Sequence, residues 1–333
     1  MKIGLAYDLK EEVSISADQP EDALEEYDSV ETVAGLTTAL EAAGHHVIKL
    51  GGGRPFLSRI LERGVDFVFN IAEGRGGYKG RESQVPSVLE MLDVPYSGSD
   101  PVCLAVCLDK PLTKTLVGAA GIRTPTWRVV ASRKDLEAPT WDNFPFPAFV
   151  KPAHEGSSKG VRRSSRVTSA EQMVVLVSRL LADYRQPVMV EEFVDGDEVT
   201  VGIVGNQPPV IVSIMRVLPR EKGDYFVYSL EVKRDWENLV EYECPARLAS
   251  QTLRAIEGAS LKAFDLLGCR DFARLDFRVD HVGTPYFLEI NPLAGLNPRS
   301  SDLPIMARKM GWTYERLVAA ILQAALERYP SCP

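Results

Sequence analysis

Two short segments near the C-terminal end of this 333-residue chain constrain its fold most: Arg274-Leu275-Asp276-Phe277-Arg278-Val279 and Glu289-Ile290-Asn291-Pro292. Both read as strands. A side-chain period of two puts Arg274 and Asp276 on one face of the first, and Glu289 and Asn291 on one face of the second. Acids on adjacent strands need a cation. Two carboxylates and an amide oxygen are hard donors that suit Mg2+ bridging the phosphates of a nucleotide.

Two earlier stretches bear on the same chemistry. In Phe149-Val150-Lys151-Pro152-Ala153-His154-Glu155-Gly156-Ser157-Ser158-Lys159-Gly160 a lysine ends a strand and a Gly/Ser loop follows. Backbone amides and hydroxyls of such a loop can close over phosphates, with the lysine as a point charge. A plain surface turn has the same composition, and the GxxxxGK[ST] pattern is absent. In Val190-Glu191-Glu192-Phe193-Val194, followed by Glu198, a carboxylate and backbone amides can read an adenine edge and a later acid can accept ribose hydroxyls. Solvated acids at a strand edge would look alike.

Strand and helix signals alternate from the start of the chain to Lys110. Strands are predicted at 3–7, 47–50 and 65–69, with a helix carrying Val33, Leu36, Leu40 and Ala43 that stops at Gly44. A second amphipathic helix carries Val85, Val88, Leu89 and Leu92, and the glycine-rich loop 70–82 leaves a strand end. This rhythm predicts a parallel sheet with ligand-facing loops at its carboxyl edge. A proline-rich stretch at 137–147 precedes the strand at 148–151. Further on, Ser169-Ala170-Glu171-Gln172 opens a helix. Strands at 188–194 and 198–204 are expected to pair as a hairpin through Asp195-Gly196-Asp197. A strand near 210–216, a helix near 246–267 ended by Gly268, paired strands at 274–280 and 285–291 and a final helix with Leu317, Ile321 and Ala324 complete the pattern.

Charge and cysteine content bound the partners. The net charge of −8 argues against nucleic acid or an anionic membrane surface. It is unevenly placed: residues 11–31 hold nine acids and no lysine or arginine, so the rest of the chain sums to +1. The window is expected to be a solvated loop, or else to close over a cationic substrate. Five cysteines without a CxxC read as free thiols of a reducing compartment. With no leader-like start and no apolar run long enough to span a bilayer, a cytoplasmic protein is expected.

Together these elements resemble the ATP-grasp superfamily, and within it the D-alanine–D-alanine ligase-like branch. The likeness runs over nearly the whole chain, through Pro95-Tyr96-Ser97-Gly98-Ser99, Leu108-Asp109-Lys110, the 151–160 loop, Glu191 to Glu198, Cys244-Pro245-Ala246 and the 274–300 region. It implies an α/β protein (α+β in its ATP-grasp part). An N-terminal parallel-sheet domain would span 1–109, a central lid subdomain 110–194 and a C-terminal catalytic domain 195–333. By this resemblance Lys110 and Lys151 would contact ATP phosphates under a lid of Glu155, Gly156, Ser157 and Ser158, with Ser157 also near the chemistry. Glu191, Val194 and Leu288 would bind adenine and Glu198 the ribose. Asp276, Glu289 and Asn291 would hold two Mg2+ ions, with Mn2+ an acceptable substitute. Lys233 would add a phosphate contact, and Arg274 with the Gly295 backbone would stabilise charge on an acyl phosphate and tetrahedral intermediate. The family's habit implies a homodimer.

The substrate end departs from the family. Its Gly-Gly-x-Ser-x-Glu opening is replaced by Tyr7-Asp8-Leu9-Lys10-Glu11-Glu12, its His-Gly reads Glu73-Gly74, and Arg234 follows the loop lysine where a tyrosine is usual. Asn291-Pro292-Leu293-Ala294-Gly295-Leu296-Asn297-Pro298-Arg299-Ser300 stands in place of the family's Asn-Thr-x-Pro-Gly-Met-Thr. The expectation is therefore an ATP-dependent carboxylate–amine ligase with amino-acid-like substrates. Glu73 would read an ammonium group, and Arg234, Arg299 or Ser300 a carboxylate. An authentic D-alanine–D-alanine ligase is the nearest rival, and an ATP-binding regulator without turnover the other.

Overall fold

The computed structural model describes residues 1–14, 19–137, 141, 143–221 and 223–332. Asp18 of the acidic window and Pro139 of the proline-rich stretch lie outside these residues. The first layer alternates strands and helices: β1 (Lys2–Ala6), α1 (Val30–Ala42), β2 (His46–Gly51), α2 (Gly53–Arg63), β3 (Phe67–Asn70) and α3 (Gln84–Met91). Its strands form a parallel sheet in the order β2-β1-β3. Ser29 caps α1 by accepting from the Thr32 amide at 3.2 Å. Helix α2 is not evident from periodicity because its stripe rests on only two buried side chains, Phe56 and Ile60.

Helices α4 (Pro101–Leu108) and α5 (Lys110–Ala119) follow, capped in turn by Asp100 and Asp109. Then come β4 (Trp127–Val130), β5 (Ala148–Pro152), β6 (Arg166–Val167), α6 (Ala170–Tyr184) and β7 (Val188–Glu192). These strands make an antiparallel sheet ordered β4-β7-β5-β6. The last part holds β8 (Gly196–Val204), β9 (Val210–Pro219), α7 (Leu230–Arg234), α8 (Trp236–Leu239), β10 (Val240–Glu243), α9 (Ser250–Leu266), β11 (Phe272–Asp280) and β12 (Pro285–Asn291). Its antiparallel sheet runs β10-β9-β8-β11-β12. Helices α10 (Asp302–Lys309) and α11 (Tyr314–Leu326) close the chain.

The expected hairpin at 195–197 does not form. Strand β7 pairs with β4 and β5, whereas β8 pairs with β9 and β11 in the other sheet. Asp195-Gly196-Asp197 is thus a crossover between sheets. Gly196 has φ 144°, and a Cβ there would stand 2.0 Å from the Val279 carbonyl oxygen, so only glycine lets β8 start against the end of β11.

The C-terminal helices return to the first layer. Leu317, Val318 and Ile321 of α11 share one core with Ile3, Leu5, Val33 and Leu36. Buried Asp271 fastens this junction: it accepts from the Gly98 amide (2.7 Å), Asn206 Nδ2 (2.9 Å) and the Arg328 guanidinium (2.7 and 2.9 Å). Asp271→Ala strands the Arg328 charge and two further donors, and should cost about 3–5 kcal/mol in equilibrium urea unfolding.

Candidate functional site

The five-stranded sheet collects five of the residues singled out above, Glu198, Arg274, Asp276, Glu289 and Asn291, in register with one another. Strand β11 sets Arg274 opposite Asn291 and Asp276 opposite Glu289 on β12; across the other edge Asp276 faces Thr200 and Arg278 faces Glu198 on β8. The β11–β12 register shifts after Asp276, with Phe277 opposite Phe287, which leaves Leu288 as an extra residue. Such a bulge re-aims a side chain. Here both Leu288 and Glu289 line the same cleft, although alternation alone would put them on opposite faces.

That cleft, about 720 Å3, lies between the two antiparallel sheets. Its apolar part is formed by Phe149, Val161, Val217, Val227 and Leu288. Its polar part holds Lys110, Lys151, Lys159 and Lys233 with Glu198, Asp276 and Glu289. An apolar slot beside four ammonium groups is the pattern a nucleotide base and polyphosphate require. Lys110 Nζ lies 3.2 Å from Glu289 and donates to the Glu155 carbonyl at 2.6 Å, so it links the metal-ligand candidates to the covering loop. Burial favours protonation of Glu289, but Lys110, Lys151, Arg274 and Lys233 hold its carboxyl far below the usual range, so it is ionised. Asp276 accepts from Thr200 Oγ1 (2.7 Å) and Arg274 Nη2 (2.8 Å), and Asn291 Nδ2 also donates to it (3.4 Å), which leaves the Asn291 amide oxygen to ligate. Asp276, Glu289 and Asn291 form a hard oxygen set that fits Mg2+.

Other expected nucleotide residues have clear places. Glu191 is buried between Lys151 (2.6 Å) and Lys114 (3.0 Å) and, like Val194, does not line the cleft. Its carboxylate orients Lys151. Burial opposes ionisation of Glu191, but the two lysines lower its pKa; Lys114 itself is pushed down to about 8, chiefly by burial. Sequence reasoning misses Lys114, although it stands one helical turn after Lys110 on α5. Glu198 does line the cleft and pairs with Arg278 at 2.9 Å. In the covering loop, Ser157 and Ser158 have φ of 49° and 59°, a left-handed conformation costing about 1–3 kcal/mol per non-glycine residue that the surroundings must enforce.

The surroundings that enforce it come from residues 21–28 of the acidic window, where Asp22 and Glu26 are buried, whereas Glu11, Glu12, Glu21 and Glu31 of the same window are exposed. Asp22 accepts from the Gly160 amide (2.9 Å), Arg162 (2.9 Å) and Tyr184 (2.8 Å). Glu26 binds Arg81 (2.6 Å) and Lys159 (3.0 Å), and Glu155 binds the same two cations. Glu25 holds Arg234 at 2.6 Å. Residues 21–28 therefore strap the 155–160 loop and α7 to the first layer. Sequence reasoning misses Arg81, Asp22 and Glu26 because their partners lie in distant parts of the chain, and Lys159 because only its Glu155 partner is local.

A second chamber, about 1400 Å3, adjoins the cleft; Lys110, Glu155 and Lys233 line both. Glu73, Arg234, Gly295 and Ser300 line the chamber, as do Gly156, Ser157, Arg274 and Asn291; Arg299 is exposed and does not. Arg274 bridges Asp276 and Asp302, the latter at 3.5 Å. Three carboxyls on this side are pushed upward, first by burial and then by neighbouring acids: Asp28 (beside Asp8) and Glu73 (beside Glu82, Glu26 and Asp28) well above the usual range, and Glu82 (beside Glu26, against the pull of Arg81) to about 7. A folded-state pKa near 7 against about 4.5 in the unfolded chain means the folded protein loses stability as pH rises from 4.5 to 7. Glu82→Gln should therefore raise stability at pH 8 by about 3 kcal/mol and give little gain at pH 4.5, measured by urea unfolding at both pH values.

Comparison with known proteins bears on what this geometry belongs to. The sequence model of the family described as "D-ala D-ala ligase C-terminus" matches residues 116–323. A D-alanine–D-alanine ligase of Aquifex aeolicus is 37% identical over 296 residues, covering 88% of this chain and 94% of that protein. An uncharacterised protein of Sinorhizobium fredii is 32% identical over 305 residues, covering 88% and 87%. In fold, the chain is similar to the D-alanine–D-alanine ligase of Bacillus anthracis, with a TM-score of 0.77, 24% identity and 98% of both chains covered. The VanG D-Ala:D-Ser ligase of Enterococcus faecalis gives a TM-score of 0.72 at 19% identity, covering 97% of this chain and 99% of that one. With its ATP-grasp fold and these relatives, the chain belongs to the D-alanine–D-alanine ligase family of ATP-dependent ligases.

Proposed function

We propose that this protein joins two amino acids as a D-alanine–D-alanine ligase, using ATP to activate the carboxylate of the first. The observation that carries the reading is the cross-strand set Asp276, Glu289 and Asn291, flanked by Lys110 and Lys151 and met by Arg274 at the mouth of the second chamber. The named relatives support D-alanine on both sides over the diverged substrate pair expected from the sequence. A regulator without turnover has no use for this complete set.

In this reading the substrate carboxylate attacks the terminal phosphoryl group of ATP. The bond to ADP breaks and an acyl phosphate forms; the second amino acid's amine then attacks the carbonyl and expels phosphate. Lys110, Lys151 and Lys233 neutralise phosphate charge from the cleft walls, and Phe149 and Leu288 enclose the base, with Glu191 and Val194 supporting it from behind and Glu198 at the ribose. Asp276, Glu289 and Asn291 would hold two divalent ions, which when bound offset charge on the transferring phosphoryl group. Arg274 and the Gly295 backbone stabilise the oxyanion of the tetrahedral intermediate. The Glu155–Ser158 loop, with Ser157 facing the chamber, excludes water that would hydrolyse the acyl phosphate. On the amino-acid side, Glu73 receives the ammonium group, and Arg234 with Ser300 and Arg299 the acceptor carboxylate.

ADP and phosphate release is the direct test, with Mg2+ and ATP plus D-alanine alone, D-alanine with D-serine, L-alanine, or no amino acid. Release with D-alanine alone, and the dipeptide found by mass spectrometry, is the expected result. Release only with another pair would transfer the ligase reading to those substrates, and none with any pair would sink it. Asp276→Asn should lower kcat by about 10²–10³-fold, comparable to losing a main electrostatic stabiliser, while thermal unfolding stays within a few degrees of the parent.

A further inference from the structure

We propose that Cys103, Cys107 and Cys269 form a binding site for one soft, thiophilic cation of the copper(I) type, set into the wall of the amino-acid chamber. Cys103 and Cys107 stand one turn apart on α4, and Cys269 follows the Gly268 turn that ends α9. The three sulfurs converge from segments 166 residues apart: Cys103 Sγ lies 3.9 Å from Cys107 Sγ and 3.6 Å from Cys269 Sγ, and all three fall within 4.8 Å of one another. Three sulfurs around a metal at a bond length of about 2.3 Å stand about 3.8–4.0 Å apart, whether trigonal or tetrahedral. The donors therefore already have nearly the required spacing.

The donor chemistry selects the ion. All three thiols are buried, and no other set of three His, Cys, Asp or Glu side chains among the described residues converges as closely. Thiolates favour copper(I) and zinc over magnesium or calcium. Structural zinc takes four protein ligands, and this cluster offers no fourth Cys, His or carboxylate among the described residues, so a three-coordinate monovalent ion fits better. The backbone around it is fixed. Asp100 caps the Cys103 amide at 2.9 Å and is held by Arg270 at 2.6 Å, while the Cys269 amide donates to the Phe264 carbonyl at 2.9 Å. Cys107 also lines the chamber, which supplies a path from solvent. Binding releases the thiol protons to water and transfers no electron; the copper stays in the +1 state.

The test uses the reduced, chelator-treated full chain, titrated anaerobically with copper(I) against a coloured copper(I) chelator. One equivalent should be retained per chain. Cys103→Ser and Cys269→Ser should each weaken retention by about 100-fold or more, whereas Cys244→Ser with Cys332→Ser should keep the full equivalent. X-ray absorption of the loaded parent protein needs no variant and should report three sulfurs at about 2.3 Å. Retention below about one-fifth of an equivalent, loss of copper with the Cys244 and Cys332 substitutions, or a shell of two sulfurs or of nitrogen and oxygen would each overturn the proposal.

Discussion

Two cations and two carboxylates, Arg81 and Lys159 with Glu26 and Glu155, meet where the first layer, the acidic segment and the covering loop come together, all nearly inaccessible to water. Arg81 belongs to the glycine-rich loop after β3, Glu26 to the acidic segment, and Glu155 and Lys159 to the loop that covers the cleft. Withdrawing four charges from water is expensive, and only near-complete mutual pairing offsets it. The pairing is close to complete: Gln186 donates to Glu155, and Arg81 also donates to the His154 carbonyl. Removing any one member leaves an opposite charge buried, so the cluster tolerates few arrangements of the loop. The left-handed Ser157 and Ser158 are held in place by that constraint.

The same cluster explains the uneven charge of the chain. The nine acids of the window have no lysine or arginine among them, yet Lys159, Arg162 and Arg234 converge on them from distant parts of the sequence. The acidic segment is therefore the internal counterion of the covering loop and of α7. Hydrogen bonds from the Gly160 amide to Asp22 and from the Leu230 amide to the Val161 carbonyl (3.1 Å) tie these pieces into one lid.

What can be read in the sequence follows the range of the interactions involved. Arg274, Asp276, Glu289 and Asn291 are legible because strand periodicity is local and their pairing needs only a short turn. Leu288 is not legible from periodicity, since a bulge reverses its face and depends on the register with β11. The crossover at Gly196 reads as a hairpin for a related reason: Asp-Gly is a good hairpin signal, and nothing local tells which sheet the following strand joins. The strap is opaque, because an acidic run looks alike whether its partners are water or cations from remote segments of the chain.

Carboxyls on the two sides of Lys110 are driven in opposite directions. Glu289 in the nucleotide cleft is held ionised by lysines and Arg274 despite its burial. Glu73 and Asp28 in the adjoining chamber are pushed up because burial acts on them and the nearest strong charges are other acids. Burial is common to both, so the difference lies in where the cations stand. Lys151 and Lys159 line the cleft alone and Lys110 and Lys233 line both spaces, whereas the chamber adds the acids Glu25, Glu26, Asp28, Glu73 and Glu82, and its Arg234 is engaged by the strap. The cleft is thus the more basic of two adjoining spaces and the chamber the more acidic. In the proposed reaction the phosphates would lie in the first and the ammonium group in the second, with the carboxylate between them met by Arg274.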